Sequence, residues 1–458
     1  VKIFPRRYEK GYLDWLSEKR DWPVSRQLWW GHRIPVWSCE VKDADTLEQI
    51  TQALEADPAR QEDKLSYLVH PAEAAAEGSA IPAQLHVCIQ DEDTEIQARV
   101  EALGFKQDND VLDTWFSSAL WPHSTLGWPD KTAALETFYP TSVLVTSRDI
   151  ITLWVARMIL AGLHNMGAVP FREVYIHPKI LDGYGETMSK SKGNGVDPLD
   201  VIEKYGADAL RFGIAHLATE NQDTRMKIEF VCPHCETLVE QTKKNRILPV
   251  VNCPKCQQGF STQWAQTEED KAVPRAAVTS ERFELGRNFC NKLWNASRFA
   301  MLNLGSYTPG AITTAELRME DRWILSRLAT VTEHVTVALE QYRYADVARV
   351  LYDFAWDEFC SFYIEMVKLR FEDEEQGPLA RRVLAHTLDT LLRLLHPIIP
   401  FITEEVWQNL HELAPSRGLV PQPAAESIII AAWPEVDSTH QDREIELQFS
   451  RFQAVLGG

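Results

Sequence analysis

No stretch of about 18 apolar residues interrupts the chain, so a membrane-spanning helix is not expected. No basic-then-apolar leader opens it either. Positive charge is in short supply: 47 Lys and Arg face 66 Asp and Glu, a formal net charge of −19. That balance argues against indiscriminate polyanion binding and leaves any RNA recognition to a local basic face. Cysteine is scarce too, with eight residues, four of them gathered in two pairs. A disulfide framework is therefore not expected, and the cytoplasm is the expected compartment. With 458 residues, 45% of them hydrophobic, the chain can bury large cores in two or three domains. It starts at Val1 and stops at Gly458 straight after a helical pattern, and both ends read as cuts in a longer protein.

What is present is concentrated in two places. The first is Thr187-Met188-Ser189-Lys190-Ser191-Lys192-Gly193-Asn194-Gly195-Val196, a glycine-flanked loop with two lysines. It follows an apolar, strand-like run from Val174 to Leu181 and leads into a helix. Asp197 fits the N-cap of that helix, Pro198 its first position and Gly206 its stop. A loop that brings ammonium groups and backbone N–H groups onto a polyphosphate suits nucleotide activation, with lysine as a mobile point charge. A solvated turn is the plain alternative.

The second place is Cys232-x-x-Cys235 and Cys253-x-x-Cys256, two pairs with proline after the first cysteine of each. That spacing suits a tetrahedral zinc ion, and the segment 228–262 has too little apolar content to fold unaided. Four thiolates leave no open position for water, so the zinc would be structural. His234 could replace one ligand, and a pair of disulfides, or scattered core cysteines, is the alternative. Cys39, Cys88, Cys290 and Cys360 are expected to be packing residues.

The rest of the chain changes character along its length. Trp29, Trp30 and Trp37 with Arg26 and Arg33 could stack on nucleic acid, though aromatic–arginine packing in a core is commoner. Residues 40–107 are acidic and alanine-rich, with a strand-like Leu85 to Ile89, and read as an insertion. From Asp110 strands and helices alternate. An apolar strand from Ser142 to Val145 turns through Thr146-Ser147-Arg148-Asp149 into a helix from Ile150 to about Leu163. Parallel α/β sheets bind ligands at such turns. Ile150 and Trp154 share a face of that helix, which by periodicity alone favours core packing. After the cysteine segment, Val347, Leu351, Phe354, Ala355, Phe359, Phe362 and Met366 keep helical spacing. So do Leu384, Leu388, Leu391 and Leu395, before the His396-Pro397 break.

The loop 187–196 with its following G-A-D-A-L-R-F resembles the KMSKS loop of class I aminoacyl-tRNA synthetases. D-T-W-F-S-S-A-L-W-P and T-S-R-D-I-I-T-L-W-V-A-R-M resemble the valyl branch of that family. W-D-E-F-C-S-F-Y-I-E and H-P-I-I-P-F-I-T-E-E-V-W resemble its anticodon-binding bundle. The resemblance implies an α/β fold: a partial Rossmann-like parallel sheet, a zinc knuckle and an α-helical anticodon-binding bundle. The implied domains are a return into the catalytic domain at 1–39, an acidic insertion at 40–107 and the second catalytic half at 108–227. The zinc knuckle follows at 228–262 and the bundle at 275–458.

The implied chemistry is ligation of valine to tRNA(Val) with ATP and Mg2+, by a monomer. Matched residue by residue, Lys190 and Lys192 are the catalytic cations. Asp149, Thr187, Met188, Ser189, Lys190 and Ser191 contact ATP, with Asp149 at the ribose and Met188 and Ser189 as hinge and backbone contacts. Trp115, Ile150 and Trp154 line the amino-acid pocket, and Cys232, Cys235, Cys253 and Cys256 hold zinc. Two indoles and a branched aliphatic enclose an isopropyl group but discriminate one methylene by only about 1–3 kcal/mol and reject an isosteric hydroxyl poorly. The resemblance therefore implies an editing domain against threonine, upstream of these residues. Thr187 stands where the family usually has lysine, and Ser147-Arg148 where it has a glycine–aromatic pair that lets backbone approach the nucleotide. The family's H-x-G-H motif is absent from the thirteen histidines. The chain alone is accordingly expected to be inactive in adenylation, and a non-catalytic tRNA-binding module is the alternative.

Overall fold

The structure, a computed structural model, describes residues 1–18, 21–71, 83–90, 93–219 and 222–456. They form two compact units, 1–176 and 177–458.

The first unit holds a three-stranded sheet in the order Lys2–Phe4, Phe171–His177, Thr141–Ser147. Its first pair is parallel, with Ile3 opposite Val174. The helix Ala156–Met166 connects Thr141–Ser147 to Phe171–His177 and ends at Gly167, whose φ of +68° makes the left-handed C-cap. Ile3, Ile151, Val155, Met158, Phe171 and Val174 form the core between sheet and helix.

The expected helix from Ile150 opens differently. A 3-10 turn covers Arg148–Ile150 and a π-helical segment covers Ile151–Val155, before regular α-helix begins at Ala156. Such wide turns recur at functional sites.

Residues 40–107 build more than the one strand their sequence suggests. Leu65–Pro71, Ala83–Ile89, Val36–Val41 and Lys106–Gln107 form a four-stranded antiparallel sheet in that order. Inward Leu85 and Val87 pack with Leu54 and Val100 from the helices Ala44–Ala56 and Thr94–Ala102. Trp37 lies in this core at 2% exposure, so the strand that carries it runs through the boundary expected at 39/40. Residues 72–82 and 91–92 of the expected insertion lie outside the described residues. Two expectations change. Cys88 is exposed, because strand alternation turns it outward between Val87 and Ile89. Trp29 and Trp30 are fully exposed, so the tryptophan-rich segment is only partly core.

The second unit begins after a break. The apolar run Val174–Leu181 is interrupted at Pro178, which has no N–H to offer a ladder, and resumes as Ile180–Asp182, paired in parallel with Thr224–Met226. The helix Pro198–Tyr205 follows, capped by Asp197 as its sequence predicts. The cysteine segment lies between Glu229–Val231 and Ala277–Thr279, neighbouring strands of one antiparallel sheet.

The bundle comprises the helices Glu284–Asn303, Met319–Glu340, Tyr344–Asp353, Gly377–Leu395, Pro400–Leu413 and Arg443–Leu456. A ten-residue π-helical stretch, Phe354–Tyr363, continues the third. The predicted stripes face inward: Val347, Leu351, Phe354, Phe359, Leu384, Leu388, Leu391 and Leu395 are buried. Cys290 and Cys360 pack against this core, as expected of them. No described helix is long and apolar enough to cross a membrane.

Candidate functional site

The expected site residues fall in both units, and each half is built by its own neighbours. In the first unit the helix Thr114–Ser124 packs on the π-helical segment and on the helix after it. Trp115 sits in its first turn, half-buried, and its backbone N–H donates to the Asp113 carboxylate at 3.3 Å. Trp154 is half-buried against the core and its indole N–H donates to the Ser118 carbonyl at 3.0 Å. The two tryptophans are thus carried by helical segments in direct contact. Ile150 is half-buried where the 3-10 turn meets the π segment. Asp149 is exposed at that turn, 3.9 Å from the Arg148 guanidinium. Ser147 keeps a buried hydroxyl without a hydrogen-bond partner among the described residues.

Asp113 organises this half and was not singled out from the sequence. It is 6% exposed and accepts from Trp22 Nε1 at 2.9 Å, Arg26 Nη2 at 2.7 Å and Arg157 Nη1 at 3.4 Å. The Arg157 guanidinium lies 3.6 Å over the Trp22 ring, so that cation is stacked on one face and hydrogen-bonded at its edge. An aspartate just before the first helical residue is an N-cap signal, which was available in the sequence.

In the second unit the lysine loop has a hydrogen-bonded backbone and exposed cations. Ser189 starts a 3-10 turn over Lys190–Lys192 and accepts from the Lys192 N–H. Gly193 ends it in the left-handed region at φ +68°. Asn194 is fully buried and ties the two ends together. It accepts from the Ser189 N–H at 2.9 Å and donates to the Thr187 carbonyl at 3.2 Å and to Asp182 at 2.8 Å.

Burial raises the Asp182 pKa, but the Asn194 amide and the N–H groups of Glu186 and Tyr184 outweigh it and hold the carboxyl below its ordinary value. Met188 packs into a small apolar cluster with Val201, Met226 and Phe283, an anchor at the loop's start. Thr187, Lys190, Ser191 and Lys192 are exposed, and among the described residues neither lysine makes an ion pair.

Cys232, Cys235, Cys253 and Cys256 converge, with all four sulfurs within 4.8 Å of one another. Cys232 and Cys256 Sγ are 3.6 Å apart, and Cys235 and Cys253 Sγ 3.7 Å. The two pairs repeat one turn. The residue after each second cysteine, Glu236 and Gln257, has φ of 58° and 63°, and its N–H donates to the first cysteine's carbonyl. The Thr237 hydroxyl and backbone N–H lower the Cys235 thiol to about 6. At Cys256 the Gln258 N–H favours the thiolate, but burial and the three neighbouring sulfurs push the thiol up to about 12. Four such sulfurs could hold a metal ion, whose charge would relieve their mutual repulsion. His234 points its Nε2 to the Gly259 carbonyl at 3.0 Å.

Comparison with known proteins identifies the family. Residues 1–227 match the model of tRNA synthetases class I (I, L, M and V), and residues 321–457 that of the anticodon-binding domain of tRNA ligase. A valine–tRNA ligase of Rhodopirellula baltica is 60% identical over 458 residues, 100% of this chain and 44% of that protein. One from Thermotoga maritima is 39% identical over 100% of this chain and 40% of its own length. The chain thus spans less than half the length of the curated relatives it matches.

Among solved structures, the LeuRS–tRNA–LeuAMS complex of Agrobacterium radiobacter shares the fold. Its TM-score is 0.53 at 17% identity, covering 92% of this chain and 43% of that one. Methionyl-tRNA synthetase of Mycobacterium tuberculosis aligns with a TM-score of 0.51 at 13% identity, over 93% of this chain and 64% of that one.

Proposed function

Because the chain belongs to the class I tRNA synthetases, with a catalytic-domain segment and an anticodon-binding domain, we propose that it is part of a valine–tRNA ligase. The observation that carries this reading is the 60% identity to the Rhodopirellula baltica valine–tRNA ligase along all 458 residues. The reaction joins valine to ATP as valyl-adenylate with release of pyrophosphate, and the 3′ end of tRNA(Val) then attacks the mixed anhydride.

Lys190 and Lys192, exposed and without ion-pair partners among the described residues, meet the phosphates and the charge that develops on the departing pyrophosphate, with Mg2+ accompanying ATP. Thr187, Ser189 and Ser191 offer hydroxyl and backbone contacts beside them, and Met188 anchors the loop. Asp149 takes the ribose, and Trp115, Ile150 and Trp154 surround the valine side chain. The bundle engages the tRNA. Such catalysis rests on placement and charge stabilisation.

Zinc is the ion we assign to the four cysteines. Tetrahedral zinc with Zn–S of about 2.3 Å sets its sulfurs about 3.8 Å apart. The observed 3.6 and 3.7 Å fit that edge length. Its contribution is structural, since all four positions are filled.

In a protein of the relatives' full length carrying these residues, Lys190→Ala or Lys192→Ala should lower valine-dependent ATP–pyrophosphate exchange about a hundredfold. Unchanged exchange in both would refute the assignment. Trp154→Ala should lower kcat/KM for valine and weaken rejection of larger aliphatic amino acids by about tenfold; no change in either would make Trp154 a core residue only. The 458-residue chain itself, without H-x-G-H, should bind tRNA(Val) but support no exchange. A non-catalytic tRNA-binding module shares that last expectation, and differs in predicting no exchange at full length either.

A further inference from the structure

The lysine loop is held by residues of the cysteine module, about 50 to 75 positions further along the chain. Gln241, 7% exposed, donates its amide to the Gly193 carbonyl at 3.1 Å. Gln263 donates to the Lys190 carbonyl at 3.4 Å. Gly193 is pressed against the module. A Cβ there would lie 2.5 Å from Trp264 Nε1, 2.7 Å from the Arg246 carbonyl and 2.9 Å from Gln263 Nε2.

Arg246 does most of the bridging. Its Nη1 reaches Asp182 at 3.1 Å and its Nη2 reaches Glu186 at 2.8 Å, with its side chain only 12% exposed. Asp182 is the carboxylate that holds Asn194, and Asn194 holds both ends of the loop. Lys243 adds a contact to Glu186 at 2.7 Å.

Gln241, Lys243 and Arg246 lie between Cys235 and Cys253, and Gln263 and Trp264 follow Cys256 closely. The module's apolar core is small, limited to residues such as Phe230, Val239, Val251 and Phe260 around Cys232 and Cys253. A core of that size would gain its order from a metal on the four sulfurs.

We infer that the metal module sets the pose of the lysine loop, with Arg246 and Gln241 as positioning residues and with loss of the metal as a release. The inference deepens the proposed function, because it makes the presentation of Lys190 and Lys192 to phosphate conditional on four cysteines elsewhere. It does not require ATP chemistry to be tested. The pose of the loop can be read in the absence of any nucleotide.

The test is amide hydrogen exchange of the 458-residue chain, comparing peptides over 187–194 with peptides over 384–395 in the bundle. Removal of zinc by a chelator should raise exchange in the loop about tenfold or more while the bundle stays protected, and added zinc should restore it. Arg246→Ala, with zinc content unchanged, should raise loop exchange in the same direction, and Arg246→Lys should rescue it only partly, since one ammonium cannot bridge both carboxylates. If chelation loosens the bundle as well, the Arg246→Ala result decides. Loop exchange unchanged in a zinc-loaded Arg246→Ala chain would overturn the inference and leave the proposed function standing.

Discussion

The bundle and the cysteine module are neighbours in sequence but are stabilised by different means. The bundle buries Trp323, Phe359, Tyr363, Leu388 and Trp407 in one large apolar core. The module closes over a handful of apolar residues and four convergent sulfurs. Apolar burial is spread over many side chains and fails gradually, whereas a metal centre is a single point on which a whole segment depends. A metal held by the four cysteines would give the lysine loop the second kind of support.

The largest effect that can break this comparison is metal removal. Zinc in such modules contributes on the order of 10 kcal/mol, so chelation should unfold 228–262 and leave the bundle's helical circular dichroism in place. Simultaneous loss of both would mean the two regions share one source of stability.

Next comes the bundle's buried ion pair. Asp321, fully buried, accepts from Arg370 Nη1 and Nη2 at 2.8 Å each, and Glu320 accepts from the same Nη1 at 2.7 Å. Asp321→Ala should cost about 3 kcal/mol in denaturant unfolding, with zinc content unchanged, because Glu320 alone must then balance the guanidinium. A cost near zero would show that the bundle tolerates a lost polar contact as readily as an exposed surface does.

A smaller effect is expected with pH. Burial holds His386 down to about 4, against an ordinary value of 6.5. The unfolded chain therefore takes up this proton first, and stability from His386 is lost as pH falls from about 6.5 toward 4, with no further loss below. Thermal midpoints of the bundle measured across that window should fall, and His386→Gln should flatten the slope. The smallest effect belongs to the loop itself: Lys190→Ala and Lys192→Ala should change stability by less than about 0.5 kcal/mol, since both side chains are exposed and, among the described residues, make no ion pair. A large destabilisation would make the lysines structural.

Local chemistry explains what the sequence disclosed. The Asp197–Gly206 helix and the convergence of the cysteines follow from caps and spacing, which act within a few residues. The bundle stripes follow from periodicity. The π-helical start of the Trp154 helix was hidden, because i to i+5 bonding leaves no periodic trace over five residues. So were the insertion's sheet, in which Leu65–Pro71 pairs antiparallel with Ala83–Ile89, and the outward face of Cys88. Arg246 and Gln241 drew no notice, since their partners are set by tertiary packing rather than by neighbours in the chain. Asp113 was legible as an N-cap, but its three further donors were not.

The comparison rests on four sulfurs placed to hold one ion, and X-ray absorption at the zinc edge of the purified chain tests that most directly. The account predicts one zinc per chain with four sulfur neighbours at about 2.3 Å and no nitrogen. A His234 nitrogen in the shell, fewer than four sulfurs, or no bound metal would contradict it.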